Sequence, residues 1–97
     1  MNLPAFKRSL AHRQPPDGLP QAVQALWWDA KGDWDKAHDC AQAESDKTGA
    51  WVHAYLHRKE GDHSNARYWY KRAGAPMGLG SLEDEWDAIL RALLRPS

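Results

Sequence analysis

Two Gly-Asp pairs, 29 residues apart, constrain the fold of this chain more than any other feature. Each pair lies between two stretches whose apolar residues recur at the spacing of one helical face. Shifting the sequence by the same offset aligns further identical residues. These are Val23 with Val52, Ala25 with Ala54, and Ala37 with Ala66. A repeat of this length is typical of stacked helical hairpins.

We predict that each Gly-Asp pair forms a structural turn. Glycine adopts the left-handed conformation that ends a helix, and the aspartate that follows caps the start of the next helix. The four turn residues are Gly32, Asp33, Gly61 and Asp62. The pattern therefore predicts two helical hairpins, over residues 20–45 and 49–74.

A third amphipathic segment follows in "SLEDEWDAILRALLR", residues 81–95. Ser81 and Asp84 resemble a capping box, and leucines, Trp86 and Ile89 form one apolar stripe. This predicts a C-terminal helix that covers the exposed end of the second hairpin, as terminal elements of repeat stacks do.

The first nineteen residues are predicted to be an N-terminal arm outside the helical domain of residues 20–97. "NLPAFKRSLAHR" has the pattern of a short helix, and "QPPDGLP" has the composition of a linker. We expect the arm to be loosely ordered, with docking on the first hairpin as the alternative.

The stretches "KGDWDKA" and "EGDHSNA" resemble the core of the tetratricopeptide repeat, and Sel1-like repeats are similar in kind. Trp34 and Ala37 stand at the family's aromatic and alanine positions, and His63 and Ala66 stand there in the second copy. The resemblance covers roughly residues 20–76. It implies an all-α fold of two stacked hairpins with a capping helix. The function that it implies is a non-catalytic scaffold or adaptor that binds a protein or peptide.

Aromatic residues supply the candidate partner surface, because tryptophan, tyrosine and arginine are enriched among the residues that dominate binding interfaces. In the family's register, Trp51, Tyr55 and Arg58 fall on the inner side of a hairpin's first helix. With Trp28 they form the predicted partner-binding set.

His53 and His57 lie four residues apart, and "HAYLH" is similar to the zinc-protease motif H-E-x-x-H. The glutamate that acts as general base is absent, and the sequence places no third ligand. We therefore expect buried, hydrogen-bonded histidines, with no metal or cofactor. Two alternatives stay open: a nucleic-acid or small-ligand site at His53, His57 and Arg58, and a metal-dependent enzyme at the two histidines.

The stretch "ARYWYKRA" mixes aromatic and basic residues, as nucleic-acid surfaces do. Because 13 basic residues balance 13 acidic ones, we predict that nucleic acid is not the partner. A single cysteine, no signal peptide and no long apolar run predict a cytoplasmic protein without a membrane segment. Two hairpins are fewer than repeat stacks usually need, so self-association into a homo-oligomer stays open.

Overall fold

The helical periodicity of the sequence produces six α-helices in a computed structural model that describes residues 1–78 and 80–94. The helices are α1 Leu3–Ser9, α2 Gln21–Ala30, α3 Trp34–Ala43, α4 Lys47–Glu60, α5 His63–Ala73 and α6 Leu82–Leu93. No strand occurs among these residues, which confirms the predicted all-α class. Within the same residues, no helix has the length and apolar character needed to cross a bilayer.

Both Gly-Asp pairs lie at tight turns between helices. Gly32 and Gly61 have φ angles of +85° and +88°, a conformation that glycine adopts at low cost. The Asp33 and Asp62 side chains cap α3 and α5 by accepting from the backbone N–H three residues on, at 3.1 and 3.3 Å. Each pair therefore ends one helix and begins the next.

Small buried residues allow these helices to pack closely. Across the two turns, α2 packs against α3 and α4 packs against α5, while α3 joins the pairs by packing against α4. Ala37 and Ala66 are both buried where the second helix of each pair meets its neighbour. The largest fully buried side chains are Trp27, Tyr70, Phe6, Leu26, Leu56, Ile89, Leu90, Val23 and Val52.

The connection between α3 and α4 depends on one glycine. A Cβ added to Gly49, in the first turn of α4, would overlap the backbone carbonyl oxygen of Glu44. The Glu44 carboxylate accepts a hydrogen bond from the Ala22 backbone N–H at 3.2 Å, at the start of α2. Glu44 is thus bonded to the start of its own helix pair, while its backbone lies against the start of α4.

The position of α6 differs from the prediction. Its amphipathic pattern and its Ser81 cap agree with the expected helix, although residue 95 lies outside the described residues. Instead of covering only the end of the second pair, α6 packs against both α4 and α2. The Trp86 Nε1–H donates to the Leu26 carbonyl at 3.1 Å. Burial of the α6 stripe on two helices removes more apolar surface from water than contact with one.

The N-terminal arm contains α1, which packs against α6 where the sequence analysis expects a loosely held segment. Phe6 is fully buried, with its ring centroid 5.8 Å from that of Trp86. The Ser9 hydroxyl accepts from Trp27 Nε1–H at 3.1 Å, and Lys31 donates to the Leu10 carbonyl at 2.7 Å. A buried ring and these long-range hydrogen bonds hold the arm on the domain.

Candidate functional site

Three histidines meet where α3 packs against α4. His53 and His57 lie one helical turn apart on α4, and His38 projects from α3. The Nε2 atoms of His38 and His53 are 2.8 Å apart, so one donates a hydrogen bond to the other. One nitrogen from each of the three rings lies within 4.8 Å of the other two. We call these three residues the histidine cluster.

Two tryptophans fix the orientation of the rings. Trp34 stacks on His38 with ring centroids 4.8 Å apart, and Trp69 stacks on His53 at 4.0 Å. The Trp34 Nε1–H also donates to the Leu56 carbonyl at 3.1 Å, which anchors α3 to α4. The imidazole planes are therefore set by neighbours on α3 and α5 as well as by their own helix.

Burial keeps His38 and His53, two of the three rings of the cluster, uncharged at neutral pH. The His53 side chain is almost completely buried, and burial, then the neighbouring His38 and His57, lowers its pKa to about 4. The pKa of His38 is also lowered, first by burial and then by His57. Because both imidazoles are neutral, each keeps one nitrogen lone pair that can accept a hydrogen bond or bind a metal.

A carboxylate orients the third ring. His57 Nδ1 lies 2.6 Å from Glu60 Oε1, so Nδ1 carries a proton and donates to the carboxylate. This leaves Nε2 of His57 as the nitrogen with a lone pair when the ring is neutral. The pairing is local, because Glu60 lies three residues further along α4.

An open groove reaches the cluster from solvent. It has a volume of about 590 Å³ and lies between the end of α3, the start of α4 and one side of α5. His53, Trp69 and Arg72 line one part of it, and the polar residues of the α3–α4 connection line another. His53 is therefore the member of the cluster that a molecule in the groove contacts.

The solvent face of α5 carries aromatic and basic side chains together. Tyr68 is 53% exposed, and the Arg72 guanidinium lies 5.8 Å from its ring centroid and 5.4 Å from that of Trp69. Arg67 and Lys71 are also exposed. No acidic residue occurs in α5, His63–Ala73, so this face is cationic in a chain whose charges balance overall. We call these five residues the α5 face.

Two of the predicted partner residues are bonded within the chain. Tyr55 is buried and donates to Asp29 at 2.8 Å, where Lys59 donates to the other carboxylate oxygen at the same distance. Burial, then the Asp29 carboxylate, raises the pKa of Tyr55, so the hydroxyl remains a donor. Asp29 itself is buried, and its two partners satisfy its charge.

Arg58 belongs to a second network of the same kind. It donates to the buried Glu85 carboxylate at 2.8 Å and to the Gly80 carbonyl at 2.5 Å. The Tyr70 hydroxyl donates to both Glu85 oxygens, at 2.6 and 2.8 Å. Burial and this hydrogen bond raise the pKa of Tyr70. The geometry therefore groups Arg58 with α5 and α6 and not with the histidines.

The other two predicted residues are half-buried. Trp28 packs against the core, and the Lys36 ammonium lies 4.3 Å from its ring centroid. Trp51 also packs against the core, and its Nε1–H is buried without a hydrogen-bond partner among the described residues. The structure thus does not bring the four predicted residues together into one exposed surface.

His38 is the member of the cluster that the sequence analysis does not assign. Its partners lie 15 and 19 positions further along, beyond the reach of helical periodicity. Pairing of histidines on adjacent predicted helices would have included it, because α3 and α4 are consecutive.

Comparison of the chain with protein-family models, with characterised protein sequences and with solved structures gives no match.

Proposed function

We propose that this chain is a non-catalytic binding module of tetratricopeptide-like type that binds an acidic segment of a protein or peptide through its α5 face. The repeat architecture is supported by two helix pairs with equivalent Gly-Asp turns. It is also supported by the buried alanines, Ala37 and Ala66, at matching positions after each turn.

The face that such repeats use for a peptide groove is occupied here by the chain itself. In the family's register, the first helices of the two pairs, α2 and α4, line that groove. In this protein α6 packs on both of them, and Tyr55 and Arg58 bond to Asp29 and Glu85. A partner therefore needs a different surface from the one predicted from the sequence.

The α5 face is the observation that carries the proposal. Among the described helices, α5 makes its helix–helix packing with α4, so its opposite side faces solvent. Tyr68, Trp69 and Arg72 lie together there, and these are the residue types that dominate interface energies. Tyrosine and tryptophan rings supply large contact area at a low cost in side-chain entropy.

Charge determines the kind of partner. Three cations and no acid on α5 attract carboxylates, and the Arg72 guanidinium can hold one with two parallel hydrogen bonds. The rings beside it suit an apolar residue next to the acid. Complementary charge of this kind mainly raises the rate of association and the specificity of binding.

Affinity capture from native lysate with mass spectrometry tests this proposal. We expect proteins with acidic exposed segments to be captured by the wild-type chain and lost with Tyr68→Ala and with Arg72→Glu. Arg13→Glu is the matched control, because Arg13 is exposed and lies outside α5. Capture of the same proteins by all four chains would contradict the proposal.

Nucleic acid is the second candidate, favoured by the same interleaving of exposed rings and cations on α5. It differs in its response to salt and to nuclease. If nuclease treatment of the lysate abolishes capture, and the purified chain shifts single-stranded DNA in a gel, the partner is nucleic acid. Capture that survives nuclease supports the acidic protein segment.

A further inference from the structure

We propose that the histidine cluster, His38, His53 and His57, binds one zinc ion. None of its three ligands belongs to α5, and the α5 face contacts the site through Trp69, which stacks on His53. Zinc is chosen because three imidazole nitrogens and one open position are a common ligand set of this ion.

The distances suit a small cation. Nitrogens bound to tetrahedral zinc at 2.0–2.1 Å lie about 3.3 Å from each other. The cluster spans this value, with 2.8 Å between His38 and His53 and with all three nitrogens within 4.8 Å. Each nitrogen–nitrogen distance therefore differs from this value by at most about 1.5 Å, a change of the size that side-chain rotation can produce.

Zinc can replace the hydrogen bond between the neutral imidazoles of His38 and His53 without a net gain or loss of protons. One of the facing Nε2 atoms, on His38 or His53, carries the shared proton. When zinc binds, that ring changes tautomer: its proton leaves Nε2 and a proton from solvent occupies Nδ1. Both Nε2 lone pairs then point to the ion. The net charge of the histidine cluster therefore changes only by the charge of the zinc ion.

Glu60 supplies the carboxylate that accepts a hydrogen bond from one of the proposed ligands. A histidine that binds zinc commonly donates its other N–H to a carboxylate, which fixes the tautomer and increases the basicity of the ligand. His57 makes this bond already, through Nδ1 to Glu60 at 2.6 Å. The groove is lined by His53, and it is the route by which we propose that zinc and a water ligand enter from solvent.

Ordinary packing does not account for this arrangement. The buried carboxylates of Asp29 and Glu85 each bond to one cation and one tyrosine hydroxyl. In the cluster, the uncharged imidazoles of half-buried His38 and buried His53 face one another, and the His57 ring lies beside that of His53. One nitrogen from each ring lies close to the other two, and after the tautomer change such a group of nitrogens can bind a metal.

Zinc titration of protein prepared without a histidine tag and treated with chelator tests the site by calorimetry. We expect one equivalent to bind, and we expect cobalt to give the visible absorption of a tetrahedral complex. Glu60→Gln should weaken zinc binding roughly 10–100-fold. Loss of a ligand in His38→Gln should weaken it more, and His63→Gln, at an exposed histidine outside the cluster, should leave it unchanged.

Folding is monitored separately by circular dichroism. His53 is buried, so His38→Gln, at a half-buried position, is the main test and His53→Gln the supporting one. The proposal is overturned if the folded wild-type chain shows no saturable zinc binding. It is also overturned if His38→Gln binds zinc as tightly as the wild type, or if His63→Gln weakens binding as much as His38→Gln does.

Discussion

The buried carboxylates and the histidine cluster are both polar regions inside a small helical domain, yet they are built differently. Asp29 and Glu85 each accept hydrogen bonds from one tyrosine and one cation, so their charges are satisfied within the chain. In the cluster, His38 and His53 have each other as partners, and among the described residues neither has a counter-charge at hydrogen-bond distance.

This difference separates structural polar groups from groups that can bind a ligand. A buried charge with a full set of partners stabilises one arrangement of helices. Removal of one partner leaves the buried charge unpaired in the low-dielectric interior. Neutral imidazoles have no such requirement, and their nitrogens can bind a cation when they lie close together. The predictions below test whether the two regions behave in these two ways.

The largest expected effect is the loss of a buried ion-pair partner. Arg58→Met leaves the Glu85 carboxylate with Tyr70 alone, and breaking a buried pair in this way costs about 3–5 kcal/mol of the free energy of unfolding. Urea denaturation measures it. If Arg58 instead serves a partner at the surface, the variant will keep wild-type stability and lose only binding.

Zinc should stabilise the domain through the cluster. At a free zinc concentration 100 times Kd, the gain in the free energy of unfolding is about 2.7 kcal/mol. For a chain of this size that raises Tm by roughly 10–20 °C. Thermal melts with zinc and with chelator measure the shift. Tyr55→Phe, in a carboxylate network, should retain the zinc-dependent rise, whereas His38→Gln should lose it.

A change in the α3–α4 connection should affect both stability and the cluster. In Gly49→Ala the added methyl group overlaps the Glu44 carbonyl, and overpacking of this kind costs about 1–3 kcal/mol. Because this connection sets the position of α3 on α4, we also expect weaker zinc binding. Denaturation and calorimetry on the same sample measure the two effects. Unchanged zinc affinity would show that the cluster does not depend on this connection.

The smallest effect on stability is expected on the α5 face. Tyr68→Ala removes an exposed ring, and such surface substitutions change the free energy of unfolding by no more than about 0.5 kcal/mol. Capture of the partner should nevertheless fall. A loss of stability well above this range would indicate that Tyr68 supports the fold. Reduced capture would then be explained by unfolding of the variant and not by loss of a contact with the partner.

Local features of the fold could be predicted from the sequence. Glycine and aspartate at the two turns, and the serine that caps α6, act within four residues of themselves. Their effects therefore follow from the order of residues alone. The apolar stripe of α6 predicts the helix but not its neighbours, because one stripe can pack on any complementary face.

The candidate site was predictable only in part. His53 and His57 are recognisable from their spacing, since they lie one turn apart on a single helix. His38 joins them through the packing of α3 on α4, and Trp69 reaches His53 from α5. The partner surface was predicted on the inner side of the repeats. The structure instead shows Tyr55 and Arg58 in internal networks, because α2 packs against α4 and α6 packs on both.

The sequence by itself determined where the helices begin, where they end and which side of each is apolar, because these properties depend on neighbours along the chain. Tertiary structure decided that α6 packs on α2 and α4. It also decided that the Asp29 and Glu85 carboxylates are paired with cations of the same chain, and that three imidazoles lie close together. Each of these depends on contacts between residues distant in sequence, whose energies become available only when the helices pack together.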